Sequence, residues 1–412
     1  MFSGKFPLLA SGHILRELES PVVFDINKDE LYELDDEAFQ FLKKCNGRKP
    51  FPDLLVKGKS DENIDFMLDE GLIQMTDGNS TKKVKAPRSP IPSLRYLLLN
   101  ITNLCNLKCK HCYLQDSRKL EIEPDFFEKA VSQFEEMGGL KLMISGGEPL
   151  IHSRFQELME ILPSYELRVV LLSNGTLIDK TTAGKLSSSV HEVQVSIDGI
   201  RSHDLLRGKG SFARSMKGIS NLNESGVPVS IATMVHKFNT GEFDEMEKLF
   251  SKTGAISWSV DVPCIAGRLC ENMDFILDLE EAAKFLKYGF GAGAHESTGD
   301  HSCGSHLCSV APDGCVSKCG FFENEPAGDV NNLRVAWENI CKSSLWRLDE
   351  LECKDCSVLH ECKGGCRFRA KQYKGILAPD PLMCYANLPG GLVNVAGLIR
   401  VYQDVRLRGK TH

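Results

Sequence analysis

From residue 94 to residue 260 the chain alternates short, almost continuously apolar segments with longer amphipathic ones. The apolar segments predict strands at Leu94–Ile101, Leu140–Ser145, Leu167–Ser173, Glu192–Ile197, Pro228–Met234 and Ala255–Val260. The amphipathic segments predict helices, among them Pro124–Met137, Ser153–Leu162, Ser211–Glu224 and Glu242–Lys252. Apolar strands separated by helices are typical of a parallel sheet covered on both sides. We therefore predict an α/β fold, a partial (β/α)6 barrel whose functional loops follow the carboxyl ends of its strands.

The residues before this region form a smaller unit. Pro21–Ile26 and Leu31–Leu34 flank a turn and predict a hairpin, and helices follow it, the second at Asp61–Glu70. This order predicts a winged-helix-like module over residues 10–76. Residues 77–92 are polar and rich in proline, which predicts an extended, flexible linker.

Composition narrows the class of protein. With 49 basic and 56 acidic residues the formal net charge is −7, which disfavours broad nucleic-acid binding because that requires a basic face. We find no run of about 20 apolar residues, so no membrane-spanning helix is expected. Met1–Ala10, interrupted by Pro7, make a poor secretory signal. We expect a cytoplasmic protein that binds neither nucleic acid nor membrane.

Cysteine is the most unusual component of the chain. Of 16 cysteines, one lies at residue 45, three at 105–112 and twelve between 264 and 384. Disulfide frameworks belong mainly to small secreted domains, whereas tight cysteine clusters in a large cytosolic chain indicate metal sites. We therefore interpret the two groups as metal-binding.

The first group, Cys105, Cys109 and Cys112, follows the first predicted barrel strand with the spacing CxxxCxxC. Three thiolates on one loop hold three irons of a cubane iron–sulfur cluster and leave the fourth iron open for the amine and carboxylate of a ligand. Structural zinc is the alternative, but zinc usually takes four protein ligands. His111, inside the loop, is a less suitable ligand. The spacing therefore favours an open 4Fe–4S cluster.

This loop resembles the signature of the radical SAM superfamily, in which such a cluster binds and cleaves S-adenosylmethionine (SAM). The resemblance makes the three loop cysteines the catalytic cluster ligands. Tyr113 stands in the family's usual aromatic position after the third cysteine. Gly146, Gly147 and Glu148 follow the second predicted strand and resemble the family's GGEP motif, which holds the SAM amino group. Glycines there let a backbone approach a ligand closely.

The resemblance implies further SAM contacts at the ends of the third and fourth predicted strands. Ser196 and Asp198 resemble the family's ribose-side motif, and Arg207 resembles an arginine that pairs with the SAM carboxylate, which its forked guanidinium suits. Ser173 and Asn174 are expected to line the same pocket, since strand-end polar residues on such barrels face the site. The alternative is that these are turn or surface residues.

The cysteines after residue 300 resemble the SPASM domain of radical SAM peptide-modifying enzymes, which carries two auxiliary 4Fe–4S clusters. The resemblance assigns the distal cluster to Cys353, Cys356, Cys362 and Cys384. It assigns the proximal cluster to Cys303, Cys319 and Cys366. We predict the fourth proximal ligand at Cys308, although its alternation with Val310 also suits a strand core. The alternatives are an open position, Cys315, Cys264 and Cys270.

The N-terminal module resembles the PqqD-like RiPP recognition elements, which bind the leader of a ribosomally made precursor peptide as an added strand at a hairpin edge. The alternatives are a structural cap and a dimerisation module. The predicted domains are then the recognition module (10–76), the linker (77–92), the radical SAM barrel (93–295), the SPASM domain (296–388) and a C-terminal tail (389–412) with a short helix at Leu392–Val405.

Together the resemblances imply a radical SAM peptide maturase with SAM and three 4Fe–4S clusters as cofactors and a flavodoxin- or ferredoxin-type electron donor. A 5′-deoxyadenosyl radical would abstract hydrogen from a carbon of the precursor peptide. A peptide cysteine would then close an intrapeptide thioether there, as in sactipeptide and ranthipeptide enzymes. Four alternatives stay open: carbon–carbon crosslinking or oxidation of the peptide, maturation of a folded protein as by anaerobic sulfatase-maturing enzymes, tetrapyrrole chemistry of the heme pathway, and a non-catalytic iron–sulfur carrier.

Overall fold

The computed structural model describes residues 4–54, 62–114, 118–291 and 299–388. Its N-terminal elements are, in chain order, β1 (Phe6–Leu9), β2 (His13–Glu17), β3 (Pro21–Asp25), β4 (Glu30–Glu33), α1 (Asp36–Lys44), α2 (Glu62–Asp69) and β5 (Ile73–Thr76). Strands β2, β3 and β4 form an antiparallel sheet, and β1 pairs with β5. The predicted hairpin and both predicted helices are present, and β1, β2 and β5 go beyond the prediction.

Helix α1 fixes the core of this module. It begins where the Asp35 carboxylate accepts a hydrogen bond from the backbone nitrogen of Ala38 at 2.7 Å, which satisfies one of the helix's free N–H groups. Phe39 and Leu42 then pack with Val23 of β3 in one buried apolar cluster.

The barrel region alternates strands with helices as predicted. Its elements are β6 (Tyr96–Thr102), α3 (Pro124–Glu136), β7 (Lys141–Gly146), α4 (Phe155–Ile161), β8 (Arg168–Ser173), α5 (Lys180–Leu186), β9 (Glu192–Ser196), α6 (His203–Arg207), α7 (Ser211–Glu224), β10 (Val229–Met234), α8 (Phe243–Phe250), β11 (Ser257–Asp261) and α9 (Leu279–Ala283). The six strands are parallel and lie in the order β11-β10-β9-β8-β7-β6.

The cysteine-rich region continues this sheet. Its elements are β12 (Leu307–Val310), β13 (Cys315–Ser317), β14 (Gly328–Asp329), α10 (Leu333–Ser343), α11 (Leu359–Cys362), α12 (Arg367–Tyr373) and α13 (Pro381–Asn387). Strand β12 pairs in parallel with β6, and β13 and β14 follow in antiparallel orientation, so the sheet has nine strands. The predicted helix Leu392–Val405 lies outside the described residues. Within the described ranges, no helix has the length and apolar character needed to cross a membrane.

Neighbouring residues of each barrel strand face opposite sides of the sheet. On β6, Leu97 and Leu99 pack with Phe127 and Phe134 of α3 in the main core. The buried Asn100 follows Leu99 directly, so its side chain points to the opposite side of the sheet, the inner side of the barrel. The inner side therefore becomes polar toward the carboxyl end of β6.

The N-terminal module docks on the amino ends of the barrel strands. Arg16 of β2 is fully buried and donates to the carbonyl oxygens of Gly139 at 3.2 Å and Glu166 at 2.7 Å, shortly before β7 and β8. Phe24 of β3 shares an apolar cluster with Leu140. The module therefore lies at the opposite end of the barrel from the carboxyl ends of its strands.

Residues 77–92 are irregular but bound along their length. The backbone nitrogen of Ser89 donates to the carbonyl of Glu17 at 2.8 Å, and Lys85 Nζ lies 2.9 Å from the Glu135 carboxylate of α3. Val84 packs against the core of the module. The prediction of a flexible linker is wrong, because these contacts hold the segment against both the module and the barrel.

Candidate active site

The three cysteines of the CxxxCxxC loop come together just beyond the carboxyl end of β6. The thiol of Cys105 interacts with those of Cys109 and Cys112. Burial raises the pKa of Cys105 to about 11, so its sulfur is a protonated thiol at neutral pH in the absence of metal. Metal binding releases that proton, since only the thiolate is a good ligand.

The segment that follows β11 packs against this loop. The backbone nitrogen of Arg268 donates to the carbonyl of Cys112 at 2.9 Å, and Arg268 Nε donates to that of Cys109 at 2.9 Å. Gly267, with φ +54°, lies so close that a Cβ would stand 2.2 Å from the Cys112 oxygen. Sequence reasoning missed this contact, because a Gly-Arg pair alone has no chemical specificity.

Gly146 and Gly147 pack against the start of the cysteine loop. A Cβ on Gly146 would lie 2.2 Å from the carbonyl oxygen of Thr102, and one on Gly147 would lie 2.0 Å from that of Leu104. The backbone nitrogen of Gly147 also donates to the Thr102 oxygen at 2.7 Å. The close approach of two backbones therefore requires both glycines, in addition to the predicted approach to a ligand.

Glu148 is fully buried and joins the ends of β7 and β8. Its carboxylate accepts hydrogen bonds from Ser173 Oγ and from the backbone nitrogen of Asn174, both at 2.8 Å. Burial raises the pKa of the Glu148 carboxyl, against the effect of these hydrogen bonds. Asn174 Nδ2 donates in turn to Asn106 Oδ1 at 2.8 Å, inside the cysteine loop. Three predicted site residues thus form one network that fixes the loop.

Asp198 and Arg207 form a buried ion pair beside the loop. Arg207 Nε donates to one Asp198 oxygen, and the backbone nitrogen of Met234 donates to the other at 2.8 Å. Burial alone would raise the pKa of Asp198, but the Arg207 guanidinium holds it well below its usual range. Arg207 Nη1 lies 3.9 Å from Cys109 Sγ, and Nη2 lies 3.5 Å from His111 Nε2. The arginine therefore links Asp198 to the loop.

Two histidines that sequence reasoning gave no role hold the main chain of Asp198. His203 Nδ1 accepts from its backbone nitrogen at 3.0 Å, and His236 Nε2 lies 3.1 Å from its carbonyl oxygen. Burial lowers the pKa of His203 to about 4, so the ring is neutral at pH 7, as an accepting Nδ1 requires. Ser196, the predicted ribose contact, ends β9 nearby and is half-buried.

Tyr113 points from the loop toward the cysteine-rich region. Its ring centroid lies 4.9 Å from that of Phe321, which lies 4.9 Å from that of Phe368. A cavity of about 400 Å³ is lined by these rings and by Asn100 and Glu323, which a hydrogen bond of 3.1 Å joins. Cavities of this size hold a small ligand or a few side chains of a larger one.

The predicted distal set is brought together by the fold. The thiol of Cys384, on α13, interacts with those of Cys353, Cys356 and Cys362. These residues come from a turn region, the end of α11 and the middle of α13, so tertiary structure and not local spacing alone assembles them.

The predicted proximal set is also together, with one addition. The thiol of Cys366, immediately before α12, hydrogen-bonds with those of Cys303 and Cys264. Cys319 interacts with Cys366, and Cys303 interacts with Cys319. Cys264 was one of several alternatives for this group, and it comes from the segment after β11.

Cys308 does not join this set. It lies in β12 opposite Leu97 of β6 and is fully buried in the main core. Its thiol interacts with Lys318 and Cys341. The assignment of Cys308 as the fourth proximal ligand is wrong, because strand alternation turns its side chain to the helix-covered side of the sheet.

Each of the three thiol groups has donors that suit an iron–sulfur cluster, since thiolates are the usual ligands of cubanes. For the part of the chain that the structure describes, no three His, Cys, Asp or Glu side chains converge on a single metal-ion position. A cubane is larger than an ion, and its thiolates surround a body of atoms and not one point.

Comparisons with known proteins bear on the barrel region and on the fold. Residues 99–250 match the sequence profile of the Radical SAM superfamily. The AdoMet-dependent heme synthase of Nitratidesulfovibrio vulgaris is 28% identical over 348 residues, 71% of this chain and 93% of that protein. The antilisterial bacteriocin subtilosin biosynthesis protein AlbA of Bacillus subtilis is 27% identical over 354 residues, 78% of this chain and 79% of that protein.

Among solved structures, Streptococcus suis SuiB bound to the precursor peptide SuiA has a TM-score of 0.68 at 15% identity, covering 93% of this chain and 100% of that chain. This likeness establishes the fold. The profile match spans β6 to α8, which carry the cysteine loop, the paired glycines and the Asp198–Arg207 pair. Residues 99–250 are therefore a radical SAM domain.

Proposed function

We propose that this chain is a radical SAM enzyme that modifies a ribosomally made precursor peptide. Its radical SAM domain supports the reaction class, and the subtilosin protein AlbA supports a peptide product. The observation that carries the choice of a peptide is the N-terminal module, whose β4 forms the edge of a three-stranded sheet.

In this proposal Cys105, Cys109 and Cys112 hold the SAM-binding 4Fe–4S cluster. When bound and reduced, that cluster supplies the electron that cleaves SAM to methionine and a 5′-deoxyadenosyl radical. The chain's own residues position the loop: Glu148 ties it to the ends of β7 and β8, and Arg207 ties it to β9. Ser196, half-buried at the end of β9, would contact SAM.

The cavity beside Tyr113 takes the peptide segment that reacts. Its aromatic wall of Tyr113, Phe321 and Phe368 excludes water, and Asn100 and Glu323 offer hydrogen bonds to a peptide backbone. Its lining includes Tyr113, which follows Cys112, and Gly320, which follows Cys319, so a peptide held there would lie close to both the SAM-binding group and the proximal group. A flavodoxin- or ferredoxin-type protein supplies the electrons.

The cysteine-rich region holds two auxiliary clusters in this proposal. The distal set is Cys353, Cys356, Cys362 and Cys384, whose thiols interact. The proximal set includes Cys303, Cys319 and Cys366. With the SAM-binding cluster, a fully loaded chain contains about twelve irons, four per cubane.

The edge of β4 is the proposed leader site. Among the described strands, β4 pairs only with β3, and its residues are largely exposed. The backbone nitrogen of Leu34 donates to the carbonyl of Pro21 at 2.9 Å. Because paired and unpaired positions alternate in an antiparallel ladder, the N–H groups of Leu31 and Glu33 point outward. An added leader strand would accept hydrogen bonds from them.

The experiment is a matched pair of substitutions at Glu33. Glu33→Pro removes an outward N–H without removing a bond to β3, whereas Glu33→Val keeps that N–H and a strand-compatible backbone. We expect Glu33→Pro to weaken binding of a fluorescent precursor peptide about tenfold, and Glu33→Val to leave it near that of the parent enzyme. Equal binding by both variants would place the leader elsewhere.

The proposed product is an intrapeptide thioether. Hydrogen abstraction leaves a carbon radical, a peptide thiol loses its proton, and forming the carbon–sulfur bond releases one electron, which an oxidised auxiliary 4Fe–4S cluster, when bound, would accept. Mass spectrometry of the matured peptide should show a pair of hydrogens lost per link and the involved cysteine protected from alkylation. A matured peptide with that mass loss and every cysteine alkylatable would instead be oxidised or crosslinked through carbon.

Tetrapyrrole chemistry is the second candidate, because the heme synthase aligns over 93% of its length. Incubation with Fe-coproporphyrin III distinguishes the two. If 5′-deoxyadenosine formation rises on adding the porphyrin but not on adding the precursor peptide, tetrapyrrole chemistry is favoured. We expect 5′-deoxyadenosine formation to rise with the precursor peptide and not with the porphyrin, because β4 presents an edge that suits a peptide strand.

A further inference from the structure

Two side chains of α12 hold the backbone on either side of Cys264. Arg369 Nη2 donates to the carbonyl of Val262 at 2.8 Å, and Gln372 Nε2 donates to that of Ile265. Arg369 Nη1 is itself paired with the buried Asp380 at 3.0 Å. The segment after the last barrel strand is therefore fixed against the helix that Cys366 precedes.

This attachment places the Cys264 thiol in the proximal group. It hydrogen-bonds with the Cys366 thiol, which also hydrogen-bonds with Cys303. Cys319 interacts with Cys366. The fold thus assembles four thiols from four separate segments: after β11, before β12, after β13 and before α12.

The other cysteines considered for this position lie elsewhere. Cys308 is in the main core with Lys318 and Cys341 as its neighbours. Cys270 is exposed, and its charged neighbour is Glu271. Cys315, on β13, lies among Asp313, Asp329 and Arg118. Cys264 is therefore the candidate whose thiol contacts the group.

We propose that Cys264 is the fourth ligand of the proximal auxiliary cluster, which makes that cluster coordinatively closed. The proposal rests on the auxiliary clusters of the proposed function. Four cysteine thiolates occupy the four irons, so none is left for a substrate thiolate. The peptide sulfur is then held by the protein cavity and not by iron, in contrast to the alternative of an open position at this cluster.

The test uses full-length protein in which Cys105, Cys109 and Cys112 are all alanine, so that bound iron reports the C-terminal groups alone. Cys264→Ala is added to this background, with Cys308→Ala as the matched buried control and Cys303→Ala as a positive control. Each protein is reconstituted anaerobically and examined by iron and sulfide analysis and by Mössbauer spectroscopy, before and after addition of 2-mercaptoethanol.

We expect the background protein and Cys308→Ala to hold about eight irons, with spectra that 2-mercaptoethanol leaves unchanged. Cys264→Ala should either fall to about four irons or retain a cluster whose spectrum shifts on adding the thiol, because one iron is now open. Unchanged iron and spectra in Cys264→Ala, with iron lost in Cys303→Ala, would overturn the assignment of Cys264 alone. A background protein without iron would overturn the auxiliary clusters themselves.

Discussion

The cysteine loop of the barrel and the proximal thiol group bring their cysteines together in opposite ways. The loop supplies Cys105, Cys109 and Cys112 from one short stretch after β6, and surrounding residues hold that stretch in place. The proximal group draws its thiols from four segments that only the finished fold brings together. In the proposed function, the three-thiol loop would leave one iron of its cluster open for SAM, whereas the four-thiol group would leave none.

The cysteine loop and the proximal thiol group therefore depend on different kinds of contact. The loop depends on backbones packed tightly around it, at Gly147 and Gly267. The proximal group depends on long-range ties such as Arg369 to Val262. Changes at these two kinds of contact should therefore have separable effects on SAM cleavage and on auxiliary iron.

The largest effect on SAM cleavage is expected from Gly147→Ala, which alters the packing of the cysteine loop. The new Cβ would stand 2.0 Å from the Leu104 carbonyl oxygen, so the loop must move. Displacing catalytic groups by about 1 Å costs on the order of 100-fold in rate, and we expect 5′-deoxyadenosine formation to fall at least that far. Anaerobic turnover measured by liquid chromatography is the check.

Gly184→Ala is the control for Gly147→Ala. Gly184 lies in α5 with open space where a Cβ would stand, so alanine should leave turnover intact and stabilise the helix by about 0.5–1 kcal/mol. If Gly147→Ala turned over like the parent enzyme, close backbone packing would not be what positions the loop.

The next effect is expected from Asp198→Asn, which leaves the Arg207 charge buried without its partner. Breaking a buried pair on one side costs about 3–5 kcal/mol, so the free energy of unfolding should fall by that order, together with SAM cleavage. Glu245→Gln, in the exposed pair with Arg201, is the control and should change neither. Equal denaturation midpoints for the two variants would contradict the structural role of the buried pair.

On the proximal side, Arg369→Met removes the hydrogen bond to Val262 and the charge facing Asp380. We expect bound iron to drop from about twelve toward about eight, while peptide-independent SAM cleavage continues, because the loop is untouched. Lys371→Met, on the same helix but exposed and paired with Glu325, should keep all of its iron. Loss of SAM cleavage in parallel with iron would show that the two regions are not separable.

The smallest effect is expected from Lys318→Met. Burial lowers the pKa of Lys318, but the neighbouring sulfurs of Cys303 and Cys319 favour its charged form. Removing a nearby positive charge makes electron uptake less favourable, so the midpoint potential of the proximal cluster should move to a lower value. Redox titration followed by electron paramagnetic resonance tests this, with the exposed Lys342→Met as control. A shift confined to the SAM-binding cluster would contradict the placement.

Much of the fold was predictable because the local periodicity of apolar residues determines where its strands and helices form. The six barrel strands were expected within two residues of their observed ends, since apolar strands and amphipathic helices alternate along the chain. The CxxxCxxC loop was equally predictable, because its three cysteines lie within one short stretch of sequence. The bound linker was not predicted, since the contacts of Ser89 and Lys85 join residues far apart in sequence.

The proximal group shows why the rest was not predictable. Cys308 and Cys264 are both cysteines in apolar surroundings, and spacing gives no reason to prefer either. Strand pairing buries Cys308 opposite Leu97, while α12 brings Cys264 to Cys366. The glycines at 146 and 147 were predicted to allow close approach to a ligand; the structure adds a second requirement, close packing against the backbone of Thr102 and Leu104.

The most direct test compares the parent enzyme with the variant in which Cys105, Cys109 and Cys112 are all alanine. Both are reconstituted anaerobically, and iron content and 5′-deoxyadenosine formation are measured on the same samples. We predict that the variant retains about eight of about twelve irons and forms no 5′-deoxyadenosine above the enzyme-free background. A variant that still cleaves SAM would contradict the assignment of this loop as the SAM-binding site.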